Sequence, residues 1–247
     1  MFYQRLFFFI CSILALQFNA AAGGLKRLVV EKYHKATPEE VAASKGMLTL
    51  NSVTYRIYVE LSPGYKFIDA YGSAAHPLKI TTSTFFYNHP KGGRFGNAIA
   101  PETIKNDPLV ALDSWLSVGG VSSTQLGVVN GTSVEGTPGE VTVLGLDKQL
   151  QFLSYSDDSV KTPVVFETTN GAWACLKGAT GPSADNNTVL VAQLTTDGAL
   201  ALGLNFVIGT PPGSGGSGGE YYVVRDPNPN ELQLPPPTFI LNPLFKP

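Results

Sequence analysis

The side chains able to do chemistry are few and scattered. Histidine occurs three times, at His34, His76 and His89, and no two sit at the spacing a zinc site needs. His76 and His89 each precede a proline, which marks them as turn residues. The chain has no G-x-S-x-G elbow, P-loop or H-E-x-x-H. The adjacent acids Glu39-Glu40 and Asp157-Asp158 do not suit a glycosidase, which holds two carboxylates about 5–10 Å apart on different elements. No catalytic residue or cofactor can be named, and the expected protein is not an enzyme. Asp157-Asp158-Ser159 and Asp185-Asn186-Asn187-Thr188 could each offer oxygens to calcium, but neither has the EF-hand pattern. Asn130-Gly131-Thr132 and Asn186-Asn187-Thr188 are formal N-glycosylation sequons.

Aromatic side chains are the remaining candidates for a binding surface. Phe85-Phe86-Tyr87 ends an expected strand, where neighbouring rings point to opposite faces. At least one of them is expected outward, where a ring can stack on a sugar or anchor a partner. Trp115, flanked by Leu112, Leu116 and Val118, reads as core.

The chain opens with Arg5, an apolar run from Leu6 to Phe18, and Ala20-Ala21-Ala22. This is the order of a secretory signal peptide, with the cut placed after Ala22. The run is too short for the roughly twenty residues of a transmembrane helix, and no later stretch would span a membrane once the leader is cut. The expected location is secreted, either extracellular or at a bacterial cell surface. Cys11 lies in the leader, so Cys175 is left with no partner for an intramolecular disulfide. Beside Trp173 and Leu176, it reads as a small core hydrophobe. A formal net charge of −2 gives no electrostatic reason to bind nucleic acid.

The elements expected to position these residues are mostly strands. Thr37-Pro38-Glu39-Glu40 is a capping box with proline at the first helical position, so a short helix is expected to run to Gly46. Residues 25–33 form a possible strand. Over 53–61, Val53, Tyr55, Ile57, Val59 and Leu61 alternate with Thr54, Arg56, Tyr58 and Glu60, the period of a half-buried strand. Further strands are expected over 67–72, 78–86, 111–118, 126–129, 141–146, 164–167, 189–195, 199–208 and 220–225. Thr195-Thr196-Asp197-Gly198-Ala199-Leu200 reads as a hairpin with a D-G turn. Residues 211–219 are a Gly/Ser-rich tract, either a hairpin loop or a linker. The expected fold is all-β: an antiparallel β-sandwich, jelly-roll or immunoglobulin-like, with one short N-terminal helix and extended termini. The expected domains are a signal peptide over 1–22, an N-terminal extension over 23–47, a sandwich over 48–226 and a proline-rich tail over 227–247.

Several blocks occur together: residues 53–66 (VTYRIYVELSPGYK), 112–120 (LDSWLSVGG), 136–139 (GTPG), 175–182 (CLKGATGP) and 194–198 (LTTDG). The set resembles a family of secreted, surface-associated Bacteroidetes proteins of unknown function, many of which travel by the type IX route. The resemblance covers roughly residues 48–226. It implies secretion and a cell-surface setting, and it brings no active site. Such proteins commonly end in a β-rich sorting domain, which Pro229–Pro247 does not resemble. In that setting Asp158-Ser159-Val160 fits an O-glycosylation pattern at Ser159.

The function expected from these features is that of a structural or assembly protein. Leu28, Val29 and Val30 at one end, and Phe239, Ile240, Leu241 and Phe245 at the other, would add as strands to a neighbour's sheet edge. The expected partners are other protein chains, including copies of itself in a filament. The alternative is an adhesin-like module that binds glycans or surfaces through Phe85, Phe86 and Tyr87.

Overall fold

The computed structural model describes residues 23–120, 131–132, 138–139, 141–146, 149–155, 163–213 and 218–242. Residues 1–22, residues 126–129, the acidic stretch at 157–159 with Ser159, and Phe245 lie outside them. The described residues are mostly strand: β1 Leu25–Lys35, β2 Val53–Leu61, β3 Lys66–Tyr71, β4 Leu78–Thr82, β5 Trp115–Gly120, β6 Gly131–Thr132, β7 Pro138–Gly139 and β8 Thr142–Leu144. After these come β9 Val164–Thr168, β10 Ala172–Ala179, β11 Thr188–Thr196, β12 Leu200–Gly203, β13 Asn205–Gly209, β14 Glu220–Val223, β15 Glu231–Gln233 and β16 Thr238–Leu241. Helix α1 spans Pro38–Ala43 and α2 spans Pro101–Asn106.

The strands form a five-stranded sheet in the order β16-β1-β2-β11-β5 and a six-stranded sheet in the order β15-β14-β13-β3-β10-β8. A three-stranded sheet, β12-β4-β9, and the short pair β6-β7 complete them. One apolar core joins the three larger sheets. It takes Val30, Ile57, Val59 and Leu116 from the first, Phe67, Trp173 and Phe206 from the second, and Ile80 and Phe166 from the third. Cys175 packs in the same core, and burial pushes its thiol pKa up.

The opposite face of the five-stranded sheet is covered too. Val29, Tyr58, Trp115 and Leu190 meet Ile99, Ile104 and Val110 from the helical stretch before β5. Gly96 makes that approach possible, because a Cβ there would sit 2.8 Å from the Trp115 ring. The half-buried expectation for β2 is therefore corrected: Thr54, Arg56 and Tyr58, on its polar face, are buried as well. Helix α1 has its capping box, with Glu40 N–H donating to Thr37 Oγ1 and Thr37 N–H donating to Glu40 Oε2.

Several strand expectations change, and the strand expected over 111–118 begins only at Trp115, after a helical turn over Pro108–Leu112. Asp197-Gly198 does not close a hairpin, because β11 and β12 belong to different sheets. The chain turns a corner there, where Thr196 Oγ1 lies 2.7 Å from Thr82 Oγ1 and β12 pairs with β4 instead. The single strand expected over 199–208 breaks at buried Leu204 into β12 and β13. β1 is also not an extension, since it is paired on both sides, with β2 and β16. Residues 25–35 and 238–241 are thus parts of the main sheet.

Candidate functional site

Thr238-Phe239-Ile240-Leu241 is a β-prone run bracketed by Pro237 and Pro243, which cannot donate to a ladder. A strand so framed belongs at a sheet edge, and β16 lies there, parallel to β1 with Val29 opposite Thr238 and Lys32 opposite Leu241. Its far end is anchored beyond the ladder. Asn242 N–H donates to the Lys32 carbonyl at 3.1 Å, and Asn242 Nδ2 donates to Glu31 Oε1 at 3.0 Å. The other Glu31 oxygen accepts the Tyr58 hydroxyl at 2.8 Å. Burial raises the Tyr58 pKa strongly, Arg56 opposes that rise and Glu31 adds to it, so the phenol keeps the proton it donates.

Every large side chain of β16 is nevertheless left in solvent: Phe239 is 68% exposed, Ile240 42% and Leu241 63%. Register places Phe239 beside Val30 and Leu241 beside Lys32 on one face, and Ile240 beside Glu31 on the other. On the Ile240 side runs a groove of about 240 Å³, lined by Arg27, Glu31, Tyr58, Glu60 and Thr188. Arg27 Nε donates to Glu60 Oε2 at 2.7 Å across its floor. Among the described residues no strand lies beyond β16. Natural edge strands are usually guarded by lysine, charge or a covering loop, and no charged residue occurs from Pro235 to Asn242.

The terminal segments named from sequence are thus brought together, but with different exposure. Leu28, Val29 and Val30 are buried in β1 and have no free edge to donate. Phe239, Ile240 and Leu241 dock on that same strand and stay exposed.

The aromatic triplet is corrected. Strand β4 ends at Thr82, and Phe86 and Tyr87 are each only 3% exposed. The cause is backbone pairing on both sides: Tyr87 N–H donates to the Thr195 carbonyl, and the Tyr87 carbonyl accepts from Ser114 N–H. This threads Phe86 into the main core and Tyr87 into a smaller cluster with Leu48 and Leu112. Phe85 is half-buried. No outward ring platform forms here.

Each histidine faces a carboxylate. His34 Nε2 lies 2.8 Å from Glu40, His76 Nε2 2.9 Å from Glu231 and His89 Nε2 3.5 Å from Asp107. Among the described residues no group of three or more His, Cys, Asp or Glu could hold a metal. In the 185–188 stretch named for calcium, the two asparagine side chains make hydrogen bonds within the chain. Asn187 Oδ1 accepts Gly181 N–H, its Nδ2 donates to the Ser62 and Tyr65 carbonyls, and Asn186 Oδ1 accepts the Thr188 hydroxyl.

Two buried polar constellations had no sequence signal. Arg56 is fully buried, its guanidinium 3.6 Å from the centre of the Tyr33 ring. Its Nε donates to Gln193 Oε1 at 2.9 Å, and Gln193 Nε2 donates to the Ala111 and Asp113 carbonyls. Asp113 is buried beside the His89–Gly93 loop and accepts the N–H groups of His89 and Gly93 at 2.7 and 2.8 Å. Burial raises its carboxyl pKa to about 7 against those hydrogen bonds. Both oxygens are thereby committed to holding the loop.

No family model matches the chain, nor does any curated protein or solved structure. Among the described residues no helix is long and apolar enough to cross a membrane.

Proposed function

We propose that this chain is a secreted, non-catalytic assembly protein of the cell surface, built on a β-sandwich of jelly-roll or immunoglobulin-like type. It joins other protein chains by strand addition at the β16 edge. The observation that carries this reading is the exposure of three successive large apolar side chains, Phe239, Ile240 and Leu241, on a strand at the edge of the described sheet, within a stretch, Pro235–Asn242, that carries no charge. Covering such side chains is favourable in proportion to the area removed from water, and strand addition satisfies the open backbone edge in the same step. Placement at a bacterial surface rests on the signal-peptide pattern and on the resemblance to surface-associated Bacteroidetes proteins.

The test is the assembly state of residues 23–247 in solution. Sedimentation velocity over a wide concentration range is expected to show an oligomer that the Ile240→Lys and Phe239→Lys variants reduce to monomer. A wild-type chain that stays monomeric at every concentration overturns the assembly reading.

A further inference from the structure

We infer that the partner at the β16 edge is a second copy of this chain, its own β16 paired antiparallel across a two-fold axis through Ile240. This rests on the assembly reading above and specifies its occupant.

The segment is self-complementary. In an antiparallel pair centred on Ile240, that residue faces its own copy, Phe239 faces Leu241 and Leu241 faces Phe239. Strand alternation puts Phe239 and Leu241 on one face and Ile240 on the other, so every exposed apolar side chain of one copy meets an apolar side chain of the other. Such cross-strand apolar pairs are the units that stabilise a sheet. From Pro235 to Asn242 there is no charge to repel a like segment. Pro237 and Pro243 end the ladder on either side and so limit the register to this centre.

Symmetry supports the same occupant. A two-fold interface uses one patch twice, and here it would join the two five-stranded sheets edge to edge into one continuous sheet. A head-to-tail filament would instead need a second, different edge that accepts β16. The β1 edge is filled by the chain's own tail. The β5 edge is flanked by residues 94–95, where Leu116 N–H donates to the Arg94 carbonyl and Phe95 bridges Leu116. Among the described residues, neither side of the five-stranded sheet thus offers a second edge for β16, and the two-fold pair of like edges closes as a dimer.

Single cysteines test the register. Ile240→Cys is expected to form a disulfide-linked dimer about tenfold or more faster than Val165→Cys, an exposed control on β9, because a preformed interface raises the effective concentration of the thiols. Phe239→Cys and Leu241→Cys are each expected to cross-link poorly alone and well when mixed. Buried Cys175 contributes to none of these. Slow cross-linking of Ile240→Cys, or efficient self-linking of Phe239→Cys, overturns the two-fold pairing. If sedimentation still shows an oligomer sensitive to Ile240→Lys, the assembly reading stands with a different occupant or register. If it shows only monomer, both fall.

Discussion

Asp69 on β3 carries a pH dependence that belongs to a single residue. One of its carboxylate oxygens is buried without a hydrogen-bond partner among the described residues. Burial raises its pKa to about 6, partly offset by a hydrogen bond from the Val207 backbone. In the unfolded chain an aspartate titrates near 3.9. Between about pH 4 and 6 the native state therefore holds a proton that the unfolded state has released, so stability falls as pH rises through that window. Asp69→Asn removes this dependence and keeps an acceptor for Val207. Urea midpoints are expected to coincide with wild type at pH 4 and to favour the variant at pH 7, and a constant offset would refute the assignment. Gln193 is the second residue-scale case. Gln193→Leu takes one acceptor from buried Arg56 and the donor from two carbonyls, so it is expected to cost about 1–3 kcal/mol in urea-melt stability, and an unchanged urea midpoint would show that other groups replace it. Neither residue was legible in the sequence. Arg56 sits at a polar position of an alternating strand, and the layer that buries it comes from distant segments, Ala111, Asp113 and Gln193.

At the scale of elements, local chemistry was readable and partner choice was not. Helix α1 has its capping box because Thr37, Pro38 and Glu40 act within four residues. Thr37→Ala leaves the Glu40 N–H without its acceptor and is expected to cost about 1 kcal/mol, with faster amide exchange at Val41 and Ser44. These amides donate within the helix, to Thr37 and Glu40. Unchanged protection there would mean that packing of Val41 against the Leu48 cluster alone holds the helix. The strand over 53–61 was equally clear, since its period of two is intrinsic to the backbone. Asp197-Gly198 shows where local signals stop. The dipeptide does turn the chain, but threonine contacts to a strand over a hundred residues away decide which sheet β12 joins. The same limit governs the aromatic triplet. Its types suit a binding surface, while its burial is set by Thr195 and Ser114. For the candidate site, the apolar run at 239–241 was visible from composition, but its docking on β1 is a parallel pairing with a strand about two hundred residues earlier in the chain.

The whole molecule is held together by strands that are buried on both faces. β2 gives Ile57 and Val59 to the core shared with the other sheets, and Tyr58 to the cluster beneath the helical layer. β11 divides in the same way, with Val189 and Val191 on one side and Leu190 on the other. Losing either cluster therefore exposes one face of a strand that the other cluster still needs. Two buried tryptophans report the two sides separately, Trp173 in the main core and Trp115 in the outer cluster. A chain longer than 200 residues commonly unfolds through intermediates, so cooperativity between these sides is a specific consequence of the shared strands. The Trp115→Phe and Trp173→Phe variants each leave one reporter. Once normalised to each variant's circular-dichroism transition, the fluorescence of the remaining tryptophan is expected to follow the same urea curve in both, the coincidence that marks a two-state transition. Earlier loss of the Trp115 signal would mean that residues 96–112 form a separately unfolding layer and that β2 and β11 do not couple the two faces.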